Sequence, residues 1–329
     1  MRENNESKQN PELLKGVSME VFVSVIVITY NHRPYIQQAL EGILNQKTEY
    51  PYEILIGDDA STDGTSEIIR QYAEKYPDLI HAVIHPQNLG STRNAYSVLS
   101  MARGKYLATC EGDDYWIDSS KIQKQVDFLE KHPQYSGCVH PIVCVDEDGK
   151  RTRGNCRQWL SGKREFSISD FDGCTLPGHA VSTVRRNYFL DPGFDKEFMY
   201  RANPYIADRT CALLWLARGN YYRLDDKMAC YRIRHKDNLT TIRYRENQYR
   251  LTNDYEYTLV LEQYATGRLH IPVDFSKHKR ELFAKAFLFS LYKRGFPEKK
   301  LMRRIIRENG NPVWYYTGIV PYIFRRIMK

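Results

Sequence analysis

The sequence predicts an α/β fold, with a mostly parallel sheet flanked by helices and a helical extension at the C-terminus. Apolar segments of strand length alternate with segments of helical periodicity, an order that gives parallel strands joined by helical crossovers. The first of these segments, Val21–Tyr30, is a continuous β-branched apolar run. Such a run is typical of a central strand that is covered on both faces.

Four strand and helix pairs are predicted along the first 133 residues. Pro34 suits the first turn of the first helix, and Asp118 suits the N-cap of the fourth. Pro77 and Pro133 close the second and fourth helices. The predicted strands are 21–30, 53–57, 79–84 and 105–110, and the helices are about 34–46, 68–76, 91–102 and 118–132.

The charge of the chain is concentrated at its C-terminal end. The 329 residues carry a net charge of +8, but residues 271–329 alone hold 14 Lys or Arg and 4 Asp or Glu, a net of +10. The remaining residues therefore carry −2. A nucleic-acid binder would spread basic residues over a recognisable reading fold, so we expect no nucleic-acid partner.

Composition also indicates the compartment. Seven cysteines without a C-x-x-C pair argue against a disulfide framework and a zinc finger, and predict a reduced, cytoplasmic protein. Residues 1–20 form a polar leader without the apolar run of a secretory signal. Eighteen consecutive apolar residues occur nowhere, so we expect no membrane-spanning helix.

Polar residues follow three of the predicted strands, in the segments 29–31, 58–59 and 111–114. Ligands of parallel sheets bind at the carboxyl ends of the strands, so these segments should meet on one rim. Clustered carboxylates suit Mg²⁺ or Mn²⁺, which can also bridge the phosphates of a substrate. The alternative for each acidic segment is a solvated turn or a helix cap.

Two common nucleotide sites are excluded by their missing motifs. No G-x-G-x-x-G follows the first strand, and no G-x-x-x-x-G-K-[ST] occurs. A dinucleotide-binding domain and a P-loop NTPase are therefore not expected.

Four segments, VSVIVITYN, EILIGDDASTDGT, NLGSTRN and GKYLATCEGDDYW, resemble the family 2 glycosyltransferases, which have the Rossmann-like GT-A fold. The resemblance is close over about 22–145 and continues loosely to about 240. It implies an inverting transferase of the hexosyltransferase type that uses Mn²⁺ or Mg²⁺ and a nucleotide-sugar donor, most often UDP-linked. The GT-A domain would span 21–243, with a nucleotide-binding half (about 21–135) and an acceptor half (about 136–243), before a basic helical extension (244–329).

The resemblance assigns the nucleotide site residue by residue. The turn beside the base and ribose would be Thr29, Tyr30 and Asn31. Asp59 matches the second carboxylate of the family's V-D-D segment, which hydrogen-bonds the base. An Asx turn or helix cap is the structural alternative for Asp59.

The remaining nucleotide and metal residues come from two further motifs. Asn88 matches an N-x-G turn, and Arg93 lies two residues earlier than the Arg of the commonest version. Glu111, Gly112 and Asp113 occupy the D-x-D position, with Asp113 as the direct metal ligand and Glu111 acting through water or the ribose.

Five more residues are candidates for diphosphate or acceptor contacts. Asp114 would orient the metal or cap the next turn, and His179 lies in a segment that shapes the acceptor side. The Y-R-x-[HR] segment, which approaches the diphosphate in the family, supplies Arg232, Arg234 and His235.

The general base is expected at the start of a helix, some ninety to a hundred residues after the D-x-D motif. Asp208 lies 95 residues after Asp113 and precedes an apolar helical run. A carboxylate there can accept the proton of the acceptor hydroxyl. The alternatives are an N-cap role for Asp208, or Asp195 or Asp191 as the base.

The C-terminal segment 313–324 is uncharged and aromatic, and Arg325-Arg326 follow it. This combination suits contact with an anionic membrane surface, and packing on the catalytic domain is the alternative. Membrane contact would place the protein at the inner face of the cell membrane, near a saccharide or lipid-linked saccharide acceptor.

Three functions therefore follow from the sequence. The first is a glycosyltransferase of bacterial-type surface polysaccharide or glycolipid synthesis. The second is a catalytically silent sugar-nucleotide-binding or assembly subunit. The third is a nucleotidyltransferase, which would normally show a glycine-rich loop where this chain has T-Y-N-H-R.

Overall fold

The apolar run at the start of the sequence forms the central strand β1 (Val23–Thr29) of the computed structural model, which describes residues 20–152, 160–233, 251–292 and 297–327. Six of its seven residues are buried. Strands β2 (Tyr52–Asp58) and β4 (Tyr106–Thr109) pair with it in parallel on either side. In this register Thr29 lies level with Asp58, so two polar strand ends are brought side by side.

The large sheet is mostly parallel, as predicted. Its other strands are β3 (Ile80–Ile84), β6 (Tyr135–Val139), β8 (Glu165–Phe166), β9 (Val184–Arg186) and β10 (Asn220–Arg223). The order is β3-β2-β1-β4-β9-β6-β10-β8. Among the described strands of this sheet, β9 and β8 are the two that run antiparallel to their neighbours.

A second, three-stranded sheet lies beside the acidic segment. It contains β5 (Tyr115–Trp116), β7 (Ile142–Val145) and β11 (Ala229–Arg232), with β11 in the middle. Tyr115 and Trp116, which directly follow the acidic segment 111–114, pair with Cys230 and Ala229. This pairing anchors the end of the acidic loop to the strand that carries Arg232.

Helices cover both faces of the large sheet. They are α1 (Ile36–Leu44), α2 (Thr65–Lys75), α3 (Ser91–Leu99), α4 (Lys121–Lys131), α5 (Phe198–Ala202) and α6 (Asp208–Leu216). One core cluster joins Val25 and Val27 of β1 to α1 and α4, and another joins Ile26 to α3 and α6. The predicted N-cap at Asp118 is wrong, because the carboxylate of Asp118 bonds Ser120 N and Lys124 Nζ, both at 2.8 Å, and α4 begins at Lys121.

The C-terminal extension is helical, as expected. It contains α7 (Leu251–Gln263), α8 (Ser276–Tyr292), α9 (Pro297–Asn309), α10 (Pro312–Thr317) and α11 (Ile319–Ile327). Helix α7 faces two ways: Tyr257 and Leu261 belong to the core that contains α6, whereas Tyr255 packs with Phe283 and Ile305 of the extension. Among the described residues, no helix is both long and apolar enough to cross a membrane.

One cysteine departs from the expected reduced state. Cys144 of β7 is disulfide-bonded, whereas five described cysteines are free. Sequence spacing without a paired motif does not show which cysteines the fold brings together, so this bond could not be anticipated. The free cysteines are Cys110, Cys138, Cys174, Cys211 and Cys230.

The buried contact between α7 and α8 should make stability depend on pH. His278 of α8 faces Asp254 of α7, with Nε2 3.1 Å from Oδ1, and Cys174 and Arg209 complete its surroundings. Burial opposes protonation of His278, but the hydrogen bonds and charges of Asp254 and Cys174 outweigh it and raise its pKa to about 9. Protonated His278 therefore stabilises the fold fully below about pH 6.5, and this stabilisation is lost as the pH rises through about 9.

We expect urea denaturation to show a fall in unfolding free energy on the order of 2–3 kcal/mol between pH 6.5 and pH 9.5 from this group. The variant His278→Asn should lose that pH-dependent component. The matched control His270→Asn, at an exposed position, should retain it. Equal pH slopes in the two variants would contradict the assignment.

Candidate functional site

The end of β2 is fixed by hydrogen bonds of two buried aspartates. The carboxylate of Asp58 accepts the hydroxyls of Ser61 and Ser66. The carboxylate of Asp59 accepts the backbone N–H groups of Leu89 at 2.6 Å and Gly90 at 3.0 Å. Burial raises the pKa of Asp59 against the opposing effect of these hydrogen bonds.

Asp59 thus fixes the loop at Leu89 and Gly90, and it is also a candidate hydrogen-bond acceptor for a nucleotide base. The side chain of Asn88 donates to the backbone carbonyl of Asp59 at 3.2 Å, so the N-x-G turn and the aspartate are held together. Each carboxylate oxygen can accept a second hydrogen bond beyond the one to the backbone.

The turn after β1 is locked to the segment after β2. Asn31 has φ 56°, a left-handed conformation that asparagine tolerates better than most residues. Its backbone N–H donates to Ser61 Oγ, and its side-chain oxygen accepts from Thr62 N, both at 2.9 Å. Tyr30 lies half-buried beside it.

Gly112 brings the acidic loop against the end of β1. Its N–H donates to Ile28 O at 2.9 Å. A Cβ at this position would lie 2.6 Å from Thr29 Oγ1 and 2.9 Å from His32 Nδ1, so only glycine fits. Since Asp59 N also donates to Thr29 O at 3.0 Å, the structure brings all three polar strand ends together around Thr29.

Glu111, Asp114 and His179 form one cluster in which the ligand atoms all lie within 4.8 Å of one another. Asp114 Oδ2 is 3.7 Å from His179 Nδ1, and Glu111 Oε2 is 3.9 Å from His179 Nε2. Asp114 Oδ1 accepts Arg232 N at 2.8 Å, but the buried Oδ2 has no hydrogen-bond partner among the described residues.

The electrostatics of the cluster are those of crowded negative charge. Burial and the charges of Asp113 and Glu111 raise the pKa of Asp114 well above its ordinary value. Burial and the charges of Asp208 and Asp113 do the same to the pKa of Glu111. Burial lowers the pKa of His179 to about 4, so its imidazole is neutral.

This donor set fits a divalent cation. Carboxylate oxygens are the usual ligands of Mg²⁺, and Mn²⁺ accepts imidazole as well. Nδ1 of His179 also accepts the backbone N–H of Val181 at 3.3 Å. The orphaned Asp114 Oδ2 is the independent sign, since a buried carboxylate oxygen normally has a partner.

Asp113, the ligand expected from the sequence, borders this cluster. Its carboxylate lies 3.6 Å from His32 Nε2, and its side chain is 21% exposed. Its charge raises the pKa values of both Glu111 and Asp114, which shows that it faces the same site.

Asp208 reaches the site from α6, far along the chain from the acidic loop. It is the first residue of α6 and is exposed. Together with Glu111 and Thr109 it lines a cavity of about 90 Å³, and its charge raises the pKa of Glu111. Acidic residues almost one hundred positions apart therefore face one cleft.

Arg232 differs most from its expected role. Its Nε donates to Asp113 O at 3.0 Å and its Nη2 to Gln38 Oε1 at 2.7 Å. Its Nη1 donates to Asp146 O at 3.1 Å and Glu147 O at 2.9 Å. The guanidinium of Arg232 therefore holds the acidic loop in place. Its described hydrogen bonds all go to protein atoms, in contrast to the expected contact with a diphosphate.

The other basic residues expected at the site cannot be placed beside the acidic cluster. The guanidinium of Arg93 lies 4.8 Å from the ring centroid of Tyr200, against α5. Arg234 and His235 lie outside the described residues.

Sequence reasoning missed two residues of the site. His32 approaches Asp113, and the ring of Tyr231 lies 4.1 Å from that of His179. His32 directly follows the predicted turn at Asn31, so its place in the sequence could have indicated that it lies near the site. Tyr231 begins the Y-R-x-[HR] segment, but that motif does not indicate that its ring lies beside His179.

Comparison with solved structures and curated proteins supports one family. TarS 1-349 of S. aureus, solved in complex with UDP-GlcNAc, superposes with a TM-score of 0.60 at 17% identity, over 91% of this chain and 81% of that solved fragment. An uncharacterized protein of Mycobacterium tuberculosis (strain H37Rv) is 38% identical over 210 residues, 64% of this chain and 58% of its own length.

A putative teichuronic acid biosynthesis glycosyltransferase of Bacillus subtilis, TuaG, is 39% identical over 125 residues, 38% of this chain and 48% of TuaG. The chain thus spans about half the length of these curated relatives. The family model described as Glycosyl transferase family 2 matches residues 24–190, which include all of β1 except Val23, the acidic loop and His179. The chain belongs to glycosyltransferase family 2 and has the GT-A fold.

Proposed function

We propose that the chain is an inverting, metal-dependent hexosyltransferase that moves a sugar from a nucleotide-diphosphate donor, UDP-linked by preference, to a hydroxyl of a saccharide or lipid-linked saccharide. The observation that carries this proposal is the shared cavity of Glu111 and Asp208. This cavity brings a carboxylate at the start of α6 to the acidic loop that follows β4. The kinship with a putative teichuronic acid enzyme supports a role in bacterial surface polysaccharide synthesis.

The donor is proposed to bind along the three joined strand ends. Thr29, Tyr30 and Asn31 form the wall beside the base and ribose, with Asp59 accepting from the base. The clamp between Asp59 and the backbone of Leu89 and Gly90 fixes this wall before the donor arrives. Preformed contacts of this kind reduce the ordering cost of binding.

Glu111, Asp114 and His179, with Asp113 beside them, would hold Mn²⁺ or Mg²⁺. Such a cation would neutralise the charge that develops on the diphosphate leaving group. Arg232 acts from behind, where its bonds to Asp113 O and to the carboxylate of Asp114 fix the loop that carries the acidic groups.

Asp208 is the proposed general base. It stands in the first turn of α6 and borders the cavity that it shares with Glu111. The carboxylate would take the proton of the acceptor hydroxyl as the new bond to the anomeric carbon forms and the bond to the diphosphate breaks. One displacement of this kind inverts the anomeric configuration.

Asp208→Asn should lower kcat for sugar transfer by about 10²–10⁴-fold, because the amide cannot accept the proton. The donor dissociation constant, measured by calorimetry with UDP-sugars and Mn²⁺, should stay within about twofold. Asp191→Asn is the matched control, since Asp191 pairs with Arg218 at the surface.

Near-normal transfer by Asp208→Asn would contradict the base assignment. A wild-type chain that binds the donor but neither transfers nor hydrolyses it with any metal would favour a silent sugar-nucleotide-binding subunit instead.

The extension presents an apolar stripe to solvent. Val313, Tyr316, Val320 and Phe324 are 70%, 47%, 58% and 64% exposed. Their spacing of three and four residues places them on one face across α10 and α11, which continue through Gly318 in helical conformation. Tyr315 and Ile319 on the opposite face are buried in the extension.

We propose that this stripe lies against anionic lipid at the cytoplasmic face of the cell membrane. Lipid is the favoured occupant because the stripe belongs to the segment of net charge +10 and is followed by Arg325-Arg326. Apolar side chains rimmed by cations bind anionic interfaces, where each basic residue adds about 1 kcal/mol.

Val320→Ser combined with Phe324→Ser should reduce co-sedimentation with vesicles containing phosphatidylserine by about tenfold, since two inserted side chains are lost. Met101→Ser combined with Ile117→Ser, at exposed apolar positions of the catalytic domain, is the matched control. Unchanged co-sedimentation of the double variant would contradict lipid as the occupant. So would light scattering that shows a dimer of the wild-type chain and a monomer of this variant, because a second copy would then cover the stripe.

A further inference from the structure

The start of α6 is held by a residue of the C-terminal extension. The hydroxyl of Tyr257 on α7 accepts the backbone N–H of Thr210 at 3.0 Å and donates to Ile206 O at 3.1 Å. It also bonds Thr210 Oγ1 at 2.6 Å. One buried hydroxyl therefore ties together the residues two before and two after Asp208.

A buried ion pair reinforces the same junction. Arg209, which follows Asp208, directs Nη1 to Asp254 Oδ1 at 2.5 Å and Nη2 to Thr258 Oγ1 at 2.7 Å, both on α7. Its Nε donates to Gly173 O. His278 of α8 bonds the same Asp254 carboxylate, so two helices of the extension hold this arginine.

We propose that α7 positions the general base, with Tyr257 and the Asp254–Arg209 pair setting where the carboxylate of Asp208 lies in the cleft. This inference rests on the proposed function, in which Asp208 is the base. Asp208 itself is exposed, whereas Arg209 and Thr210 beside it are buried in contact with α7. The rigid partners of this turn are thus on the extension.

Positioning of this kind should affect the reaction more than donor binding. Displacing a reacting group by about 1 Å can cost 10²-fold in rate. The donor wall, formed by the ends of β1, β2 and β4, makes none of its described contacts with α7. A change at Tyr257 should therefore lower kcat and leave the donor KM unchanged.

Helix α7 supplies its own control in Tyr255. Tyr255 is also buried, but it lies on the side of α7 that faces α9. Its hydroxyl donates to Glu308 Oε2 and accepts from Asn309 Nδ2, both at 2.9 Å. Tyr257→Phe and Tyr255→Phe remove the same atom from the same helix. They differ in whether the lost hydroxyl contacts α6.

In the full chain, Tyr257→Phe should lower kcat by about tenfold with the donor KM within twofold. Tyr255→Phe should keep kcat within twofold, and both variants should show a lowered Tm. In an Asp208→Asn background, Tyr257→Phe should add less than twofold, because the positioned group is already inactive. Thr258→Val, which removes one bond to Arg209, is the second variant if Tyr257→Phe does not fold.

Equal kcat values for the two tyrosine variants, or a kcat loss that merely tracks Tm, would overturn the positioning role while Asp208→Asn remained inactive. A normal kcat for Asp208→Asn would instead remove the base assignment on which the inference rests. The two failures are therefore distinguishable in the same set of measurements.

Discussion

The crowding of negative charge at the carboxyl edge of the sheet is the constraint on which the rest of the site depends. Glu111, Asp113 and Asp114 lie on one short loop, and Asp208 faces them from α6. Burying such charges is costly unless they are paired or bound to a cation. Asp114 shows the result, since one of its oxygens is bonded to Arg232 N and the other has no hydrogen-bond partner among the described residues.

Arg232 answers part of this constraint from behind the loop. It donates to three backbone carbonyls and to Gln38, and it lies 4.5 Å from the ring of Tyr35. Its charge is therefore close to Asp114 but directed into the protein. The open side, towards His179 and Glu111, is the side on which a cation and a diphosphate would complete the charge balance.

The fold and the meeting of the polar strand ends could be predicted because their signals are local. The continuous apolar run of β1 predicts a buried central strand, and the polar residues at 29–31, 58–59 and 111–114 lie where three strands end. Gly112 and Asn31 are residue types with few alternatives at their positions. In contrast, the disulfide at Cys144 carries no local signal.

The roles of Arg232 and Tyr257 could not be predicted, because their partners are distant in sequence. Arg232 bonds residues 85 to 194 positions away, mostly through backbone atoms that every residue possesses. Tyr257 reaches Thr210 across 47 residues. The family motif marked Arg232 as a cation near the diphosphate, but only the packing of β11 against the acidic loop shows which way it points.

The most direct test of the central claim is an anomalous diffraction measurement at the manganese edge, on crystals of the chain grown with UDP and Mn²⁺. The account predicts one strong peak bounded by Asp114 Oδ2, Glu111 and His179, in contact with the diphosphate and beside Asp113. Bound UDP with no manganese peak there, or with manganese held elsewhere while Asp114 Oδ2 keeps no partner, would contradict it.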